Sequence, residues 1–311
     1  MILTVTLNAA IDRTYRVESF RLDAVHRPSA CWIVAGGKGI NVARTVKRLG
    51  GEARATGILA GHNGRFIAGS LRAENIRGSF VWVRGESRTC IAAVDPVHRT
   101  QTEINETGPT VPPSAAGRLI RRVRRMIEAE ATRYLVLSGS IPPGMPNDVY
   151  ARITEEARRA GVHVVLDSSG EPLRRGAAVG PWMIKPNLLE LEHLTGKRVS
   201  RPEEAASVAR GLLSPRTEAV VVTMGSEGCV CVSERQCFHV AAPEVPFVSS
   251  VGSGDALLGA LLWALVQGWD WRAAVRYGVG AGAANVCEYG AGFVDPAKVE
   301  RFARSATLRE L

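Results

Sequence analysis

At 311 residues, 46% hydrophobic and 22% charged, the chain is long enough for one large α/β domain with a small appendage, and its composition excludes a disordered protein. The net charge of +9 raises nucleic acid as a partner, but there is no basic tail, and Arg118, Arg121, Arg122, Arg124 and Arg125 fall mostly on one outward helix face, so an anionic small molecule fits better. The six cysteines include no Cys-x-x-Cys pair and, like the six histidines, do not cluster at metal-ligand spacing, which points to free thiols in a reducing, cytoplasmic compartment.

The first segment, Met1 to Asn8, is apolar for too short a stretch to be a signal peptide and lacks a basic leader, so it is expected to be a buried strand. Nothing has the length of a membrane span, and no membrane partner is expected. Further apolar runs bounded by turn residues follow at Arg54 to Leu59, Tyr134 to Leu137, Val162 to Leu166, Trp182 to Ile184 and Ala219 to Val222, as suits strands buried on both faces. Helical spacing lies between them at Asn41 to Leu49, Asp148 to Arg159 and Glu203 to Leu213, and two long Ala/Leu-rich helices are expected from Gly252 to Gly268 and Trp271 to Val286. This alternation predicts βαβ units in a doubly wound, mostly parallel sheet flanked by helices, one α/β domain over residues 1–311. Two segments, 14–34 and 80–104, break the rhythm; the second approaches strict alternation at Val81, Val83, Cys90, Ala92 and Val94. They predict a small β-sheet with one wet face, placed as a lid over the cleft beyond the carboxyl ends of the main strands.

Asp12 follows the first strand and is expected to point into that cleft. Ala35-Gly36-Gly37-Lys38-Gly39-Ile40-Asn41 resembles a phosphate loop but fails the Walker spacing, since Gly39 follows Lys38. Its glycines let backbone approach a polyhydroxylated ligand, with Asn41 on hydroxyls and Lys38 opposite a phosphate; a tight turn with Lys38 in solvent is the alternative. In Lys185-Pro186-Asn187-Leu188-Leu189-Glu190, the amide and carboxylate share one face of a first helical turn. They suit either a water-rich Mg²⁺ or a capping pair. Thr223-Met224-Gly225-Ser226-Glu227-Gly228 either bends around a nucleotide or is a plain turn. Finally, Val251-Gly252-Ser253-Gly254-Asp255 leads straight into a helix, converging unpaired N–H groups at the positive end of its dipole. There Asp255 is either a helix cap or the base that takes a proton from an acceptor hydroxyl. Gly278-Val279-Gly280-Ala281-Gly282 does not complete a dinucleotide fingerprint.

The order and spacing of these segments resemble the ribokinase-like (PfkB) carbohydrate kinases along essentially the whole chain. Within them it looks like the hexose-phosphate branch, whose members phosphorylate fructose 1-phosphate, tagatose 6-phosphate or fructose 6-phosphate. The resemblance also runs through Gly85 to Cys90, Gln101 to Asn105, Ser138-Gly139-Ser140-Ile141-Pro142-Pro143-Gly144 and Asp167-Ser168-Ser169-Gly170. It implies in-line transfer from ATP, with Asp255 as the base and Gly252, Ser253 and Gly254 completing the anion hole. Asp12, Gly36, Gly37, Lys38, Asn41, Arg88 and Ser138 would hold the sugar phosphate. Lys185, Asn187, Thr223, Gly225 and Gly228 would border ATP, with Glu190 and Asn187 acting on Mg²⁺ through water. A K⁺ site is implied at Ser249, Val251, Asn285, Glu288, Gly290 and Gly292, and a homodimer through the lid. The family usually has Pro after Asn8, where Ala9-Ala10 stand here, and Thr89 replaces an Asn frequent in tagatose-6-phosphate enzymes, which favours fructose 1-phosphate. A non-catalytic sugar-phosphate sensor on the same fold is the rival reading.

Overall fold

In a computed structural model that describes residues 1–311, strand β1 (Ile2–Thr6) is buried along its whole length, as its unbroken apolar pattern demands of a strand covered on both faces. The chain then leaves for an antiparallel pair, β2 (Ala10–Arg16) and β3 (Ala30–Gly36), and returns through α1 (Lys38–Arg48) to β4 (Ala53–Ala60). Helix α2 (Gly61–Ala73) leads to β5 (Arg77–Val83), and a second excursion adds β6 (Arg88–Asp95) and β7 (Thr100–Asn105). After α3 (Ser114–Ala129), strands and helices alternate through β8 (Tyr134–Ser138), α4 (Val149–Arg159), β9 (His163–Asp167), α5 (Gly170–Ala178), β10 (Met183–Ile184), α6 (Leu188–Thr195), α7 (Pro202–Arg210) and β11 (Ala219–Thr223). A hairpin, β12 (Cys229–Ser233) and β13 (Cys237–Ala241), precedes α8 (Ser253–Val266), α9 (Trp271–Val286), α10 (Pro296–Ser305) and β14 (Thr307–Glu310). No helix is long and apolar enough to cross a membrane.

The main sheet has ten strands in the order β14-β13-β12-β11-β10-β9-β8-β1-β4-β5. From β11 to β5 every pairing is parallel, and β12, β13 and β14 extend that edge antiparallel. One face packs against α1, α8, α9 and α10 around Ile40, Leu258 and Val299; the other packs against α3 and α4 around Leu119 and Ile153. This is the doubly wound α/β sheet that the alternating pattern implies. The strand order turns around between β1 and β8, which places a crevice beyond their carboxyl ends.

The second sheet has the order β3-β2-β6-β7, and its boundaries differ from the expected 14–34 and 80–104. It begins at Ala10, so Asp12 belongs to strand β2 and not to the loop after β1. Residues Phe80 to Val83 lie in β5, at the edge of the main sheet. The misreading has a physical cause: β5 is an edge strand that pairs only with β4, so it mixes exposed residues such as Trp82 with buried ones such as Phe80 and Val81, and its sequence looks like that of a half-wet lid strand.

Candidate active site

Helix α8 starts at Ser253 behind Gly252, whose φ of 77° is left-handed and whose missing Cβ leaves room for Ala291. The amides of Gly254 and Asp255 have no backbone partner, and all residues from Gly252 to Asp255 line one cavity of about 980 Å³. An anion is therefore favoured at this helix end, where free N–H groups and the dipole coincide. No side chain caps α8, which removes the cap reading of Asp255. Its carboxylate, 6% exposed, instead accepts a 2.8 Å hydrogen bond from Asn41 Nδ2. Burial, and then the nearby charge of Asp167, push the Asp255 carboxyl up to about 7, against the pull of Lys38, Asn41 and Lys185. A carboxylate tuned to neutrality at the mouth of an anion site suits a general base.

Asn41 is fixed from behind. On the same face of α1, Arg44 donates through Nη1 to Asn41 Oδ1 at 3.2 Å and to the Ala291 carbonyl at 2.8 Å, while Nη2 reaches the Ala35 carbonyl at 2.6 Å. Its charge is balanced by Glu74, and the guanidinium lies 4.7 Å over the Phe293 ring. Because Arg44 takes the amide oxygen, the amide nitrogen is left to face Asp255. The sequence alone marked Arg44 in no way.

Lys38 does not stand in solvent. Its ammonium lies 2.8 Å from Asp167 Oδ1 and 3.4 Å from Glu190 Oε1, and Lys185 lies 3.3 Å from Asp167 Oδ2. Burial alone would lower the Lys38 pKa, but Asp167, then Glu190 and Asp255, hold it above the ordinary lysine value. Asp167 ends β9 fully buried; burial would raise its pKa, yet Lys185 and Lys38 hold it below the usual carboxylate range. It is the hub of this charge cluster and carried no assigned role in the sequence. Its one signal was position: an Asp closing an apolar parallel strand at the carboxyl edge.

Asn187 and Glu190 form a complete capping box at the start of α6: Glu190 N donates to Asn187 Oδ1 at 2.8 Å and Asn187 N to Glu190 Oε2 at 2.9 Å. The capping alternative is therefore realised, and the remaining Glu190 oxygen meets Lys38. No group of three or more His, Cys, Asp or Glu side chains is placed to hold a metal directly. Asn187 and Glu190 would serve a Mg²⁺ only through water, with phosphate oxygens as its main ligands.

Around the cavity the other expected residues take distinct places. Asp12, Gly37, Lys38, Asn41 and Arg88 line its lid side; Lys185, Asn187, Thr223, Gly225 and Gly228 line the opposite side, which Val245, Phe247, Val279 and Val286 make apolar. Gly36 stays outside the lining but lacks the Cβ that would collide with the Asp12 carboxylate. Burial pushes Asp12 up to about 6, against Arg44 and Arg88. Ser138 and Glu190 open onto a smaller adjoining space of about 160 Å³, shared with Lys38, Arg88, Asn8 and Ser140 and lined by no hydrophobic residue. There the buried Thr6 Oγ1 and Asn8 Oδ1 have no hydrogen-bond partner. Arg88 donates to the carbonyls of Asn8 at 3.0 Å and Glu106 at 3.3 Å and meets no carboxylate, so its charge stays available. Thr89 lines neither space and does not select an acceptor by contact.

The expected K⁺ residues are only partly gathered. Asn285 donates to the Val251 carbonyl at 2.8 Å and accepts from Gly292 N at 2.7 Å, and Ser249 Oγ donates to Gln101 of the lid at 3.0 Å. Glu288 is drawn off to Lys298 at 2.6 Å, and Gly290 packs towards Phe293.

The profile of the family described as "pfkB family carbohydrate kinase" matches residues 3–298. The 1-phosphofructokinase of Bacillus subtilis is 33% identical over 285 residues, covering 92% of either chain. The tagatose-6-phosphate kinase of Staphylococcus epidermidis is 31% identical over 315 residues, all of both chains. Among solved structures, phosphofructokinase-2 from Escherichia coli in complex with potassium superposes with a TM-score of 0.89 at 28% identity, over 98% of each chain.

Proposed function

The chain belongs to the pfkB family of carbohydrate kinases, as an ATP-dependent sugar-phosphate kinase, and from that premise we propose that its acceptor is fructose 1-phosphate, converted to fructose 1,6-bisphosphate. The observation that carries the reading is a pair of spaces that share Lys38 and Arg88, the larger of them lined by Asp255. The small polar space beside Arg88, Lys38 and Ser138 has the size and lining for a phosphate, and its orphaned Thr6 and Asn8 oxygens suit hydroxyls of a bound sugar or water. The large cavity has room for a nucleotide, whose base meets the apolar wall beyond Thr223 and Gly228 while its phosphates point to α8. Asp255 lines the large cavity, whose wall shares Lys38 and Arg88 with the small one.

In this arrangement Asp255, oriented by Asn41, accepts the proton of the acceptor hydroxyl as that oxygen attacks the γ-phosphorus in line. The amides of Gly254 and Asp255 hold the charge of the transferred phosphoryl group, and Lys185 stands ready on the nucleotide side. Glu190, through water, would hold a Mg²⁺, which would supply neutralisation of the phosphate charge. K⁺ is assigned to the Ser249, Val251 and Asn285 loop. The lid, with Ile33 45% and Ile104 66% exposed, pairs with a second copy to make a homodimer, and the free cysteines support a reducing, cytoplasmic setting.

ADP release measured across fructose 1-phosphate, tagatose 6-phosphate, fructose 6-phosphate and ribose tests the assignment. Fructose 1-phosphate should give the highest kcat/KM and ribose the lowest. A preference for tagatose 6-phosphate would move the acceptor within the branch; binding without ADP release from any of the four would make the protein a sensor.

Arg88→Ala should raise KM for the phosphorylated acceptor roughly tenfold to a hundredfold, the equivalent of about 1.5–3 kcal/mol for a charged hydrogen bond, with little change in KM for ATP. If an unphosphorylated sugar suffers as much, Arg88 does not hold the phosphate.

A further inference from the structure

At the end of the sheet away from the catalytic cavity, a groove of about 580 Å³ runs between α3 and the starting ends of β4 and β5. Arg118, Arg121, Arg122 and Arg125, spaced i, i+3, i+4 and i+7, form one wall from a single face of α3. Arg54 and Arg77 face them from the second residue of β4 and the first of β5. The only acid in the lining is Glu130, which pairs with Arg54 at 2.5 Å, and Arg122 is steadied by Ser79 Oγ at 2.5 Å. Arg77, Arg118, Arg121, Arg122 and Arg125 have no carboxylate within 4.0 Å and take part in none of the chain's ion pairs.

Some surface arginines elsewhere meet an acid on their own helix, while others, such as Arg65, Arg152 and Arg210, have no carboxylate partner either. Arg159 pairs with Glu156, Arg174 and Arg175 with Glu171, Arg201 with Glu204, and Arg304 with Glu300, each within one helical turn. Even on α3, Arg124 lies outside the groove and pairs with Glu128 at 3.6 Å. Like charges at i, i+4, such as Arg118 with Arg122 and Arg121 with Arg125, weaken a helix. What sets the groove apart is convergence: two strands bring further arginines opposite the stripe.

We propose that this groove is a second anion site, separate from catalysis, that takes a small molecule bearing two or more phosphate groups. Guanidinium forks match phosphate oxygens bidentately, and five arginines without a carboxylate partner call for several negative charges. The only apolar residues in the lining are Met126 and Ala129, so no apolar body is recognised. The volume is that of a small-molecule site, and the walls close on two sides, whereas a nucleic acid needs an open track along successive phosphates.

Calorimetry on the full chain with inorganic tripolyphosphate tests the site, with inorganic phosphate, fructose 1,6-bisphosphate and a short single-stranded oligonucleotide as parallel arms. Wild type should bind one tripolyphosphate that survives saturation of the catalytic cavity, with affinity falling as salt rises. Arg118→Ala/Arg125→Ala should weaken it tenfold or more while KM for both substrates stays unchanged; because these side chains are exposed, folding is checked by an unaltered Tm. The arm that competes with tripolyphosphate identifies the ligand's source, and single phosphate should bind far more weakly. Absence of that second event in wild type, equal affinity in the double variant, or tighter binding of the oligonucleotide with the same variant dependence overturns the proposal. The readout is binding alone, so it stands or falls apart from the acceptor assignment.

Discussion

Asp255→Asn should lower kcat by about two to four orders of magnitude, the range in which a positioned general base contributes, while Kd for the sugar phosphate stays close to wild type. The substitution keeps the volume and leaves an oxygen for Asn41 Nδ2, so neither packing nor the anion site at α8 is disturbed. The pH profile separates a base from a structural carboxylate. A base works deprotonated, and the Asp255 carboxyl is pushed up to about 7, chiefly by burial and then by Asp167. Wild-type kcat/KM should therefore fall as pH drops through about 7, with unit slope, and the residual activity of Asp255→Asn should lose that limb. Near-normal turnover in the variant would remove Asp255 from the chemistry.

How much of this was legible beforehand divides along sequence separation. The buried strands announce themselves because each is apolar on both faces, and α8 and α9 because breakers bound them. Local motifs likewise delivered Lys38, Asn41, Lys185 and Asp255 to one cavity, to which the family resemblance added Arg88. What could not be read was pairing. Lys38 meets Asp167 across 129 residues, and no local rule distinguishes that from a lysine in solvent. Asn187 and Glu190 show a different limit: one short motif satisfies the helix end with two oxygens and leaves a third for Lys38, so capping and site roles coexist in the same residues. The lid boundary failed because alternation reports one wet face and says nothing about which sheet owns it.

Arg44 is where the fold's stability and the site's geometry meet. Its side chain is 1% exposed and carries Glu74, two backbone carbonyls and the Asn41 amide oxygen. Removing one partner of a buried pair strands the other, at a cost of about 3–5 kcal/mol, whereas an exposed pair would contribute at most about 1 kcal/mol. Arg44→Ala should thus lower the urea-unfolding free energy by about 3–5 kcal/mol, and a loss under about 1 kcal/mol would show that the network is not a structural tie. Stability alone does not establish the link to Asn41. Arg44→Lys retains a positive charge for Glu74 but lacks the fork that reaches Glu74, Ala35, Ala291 and Asn41 together. In that variant, still folded at assay temperature, the Asn41 amide is no longer compelled to present its nitrogen to Asp255. Its kcat should fall by about tenfold and its pH limb should shift upward, because the hydrogen bond that favours the charged carboxylate is weakened. An unshifted limb with an unchanged kcat would confine Arg44 to holding α1 in place.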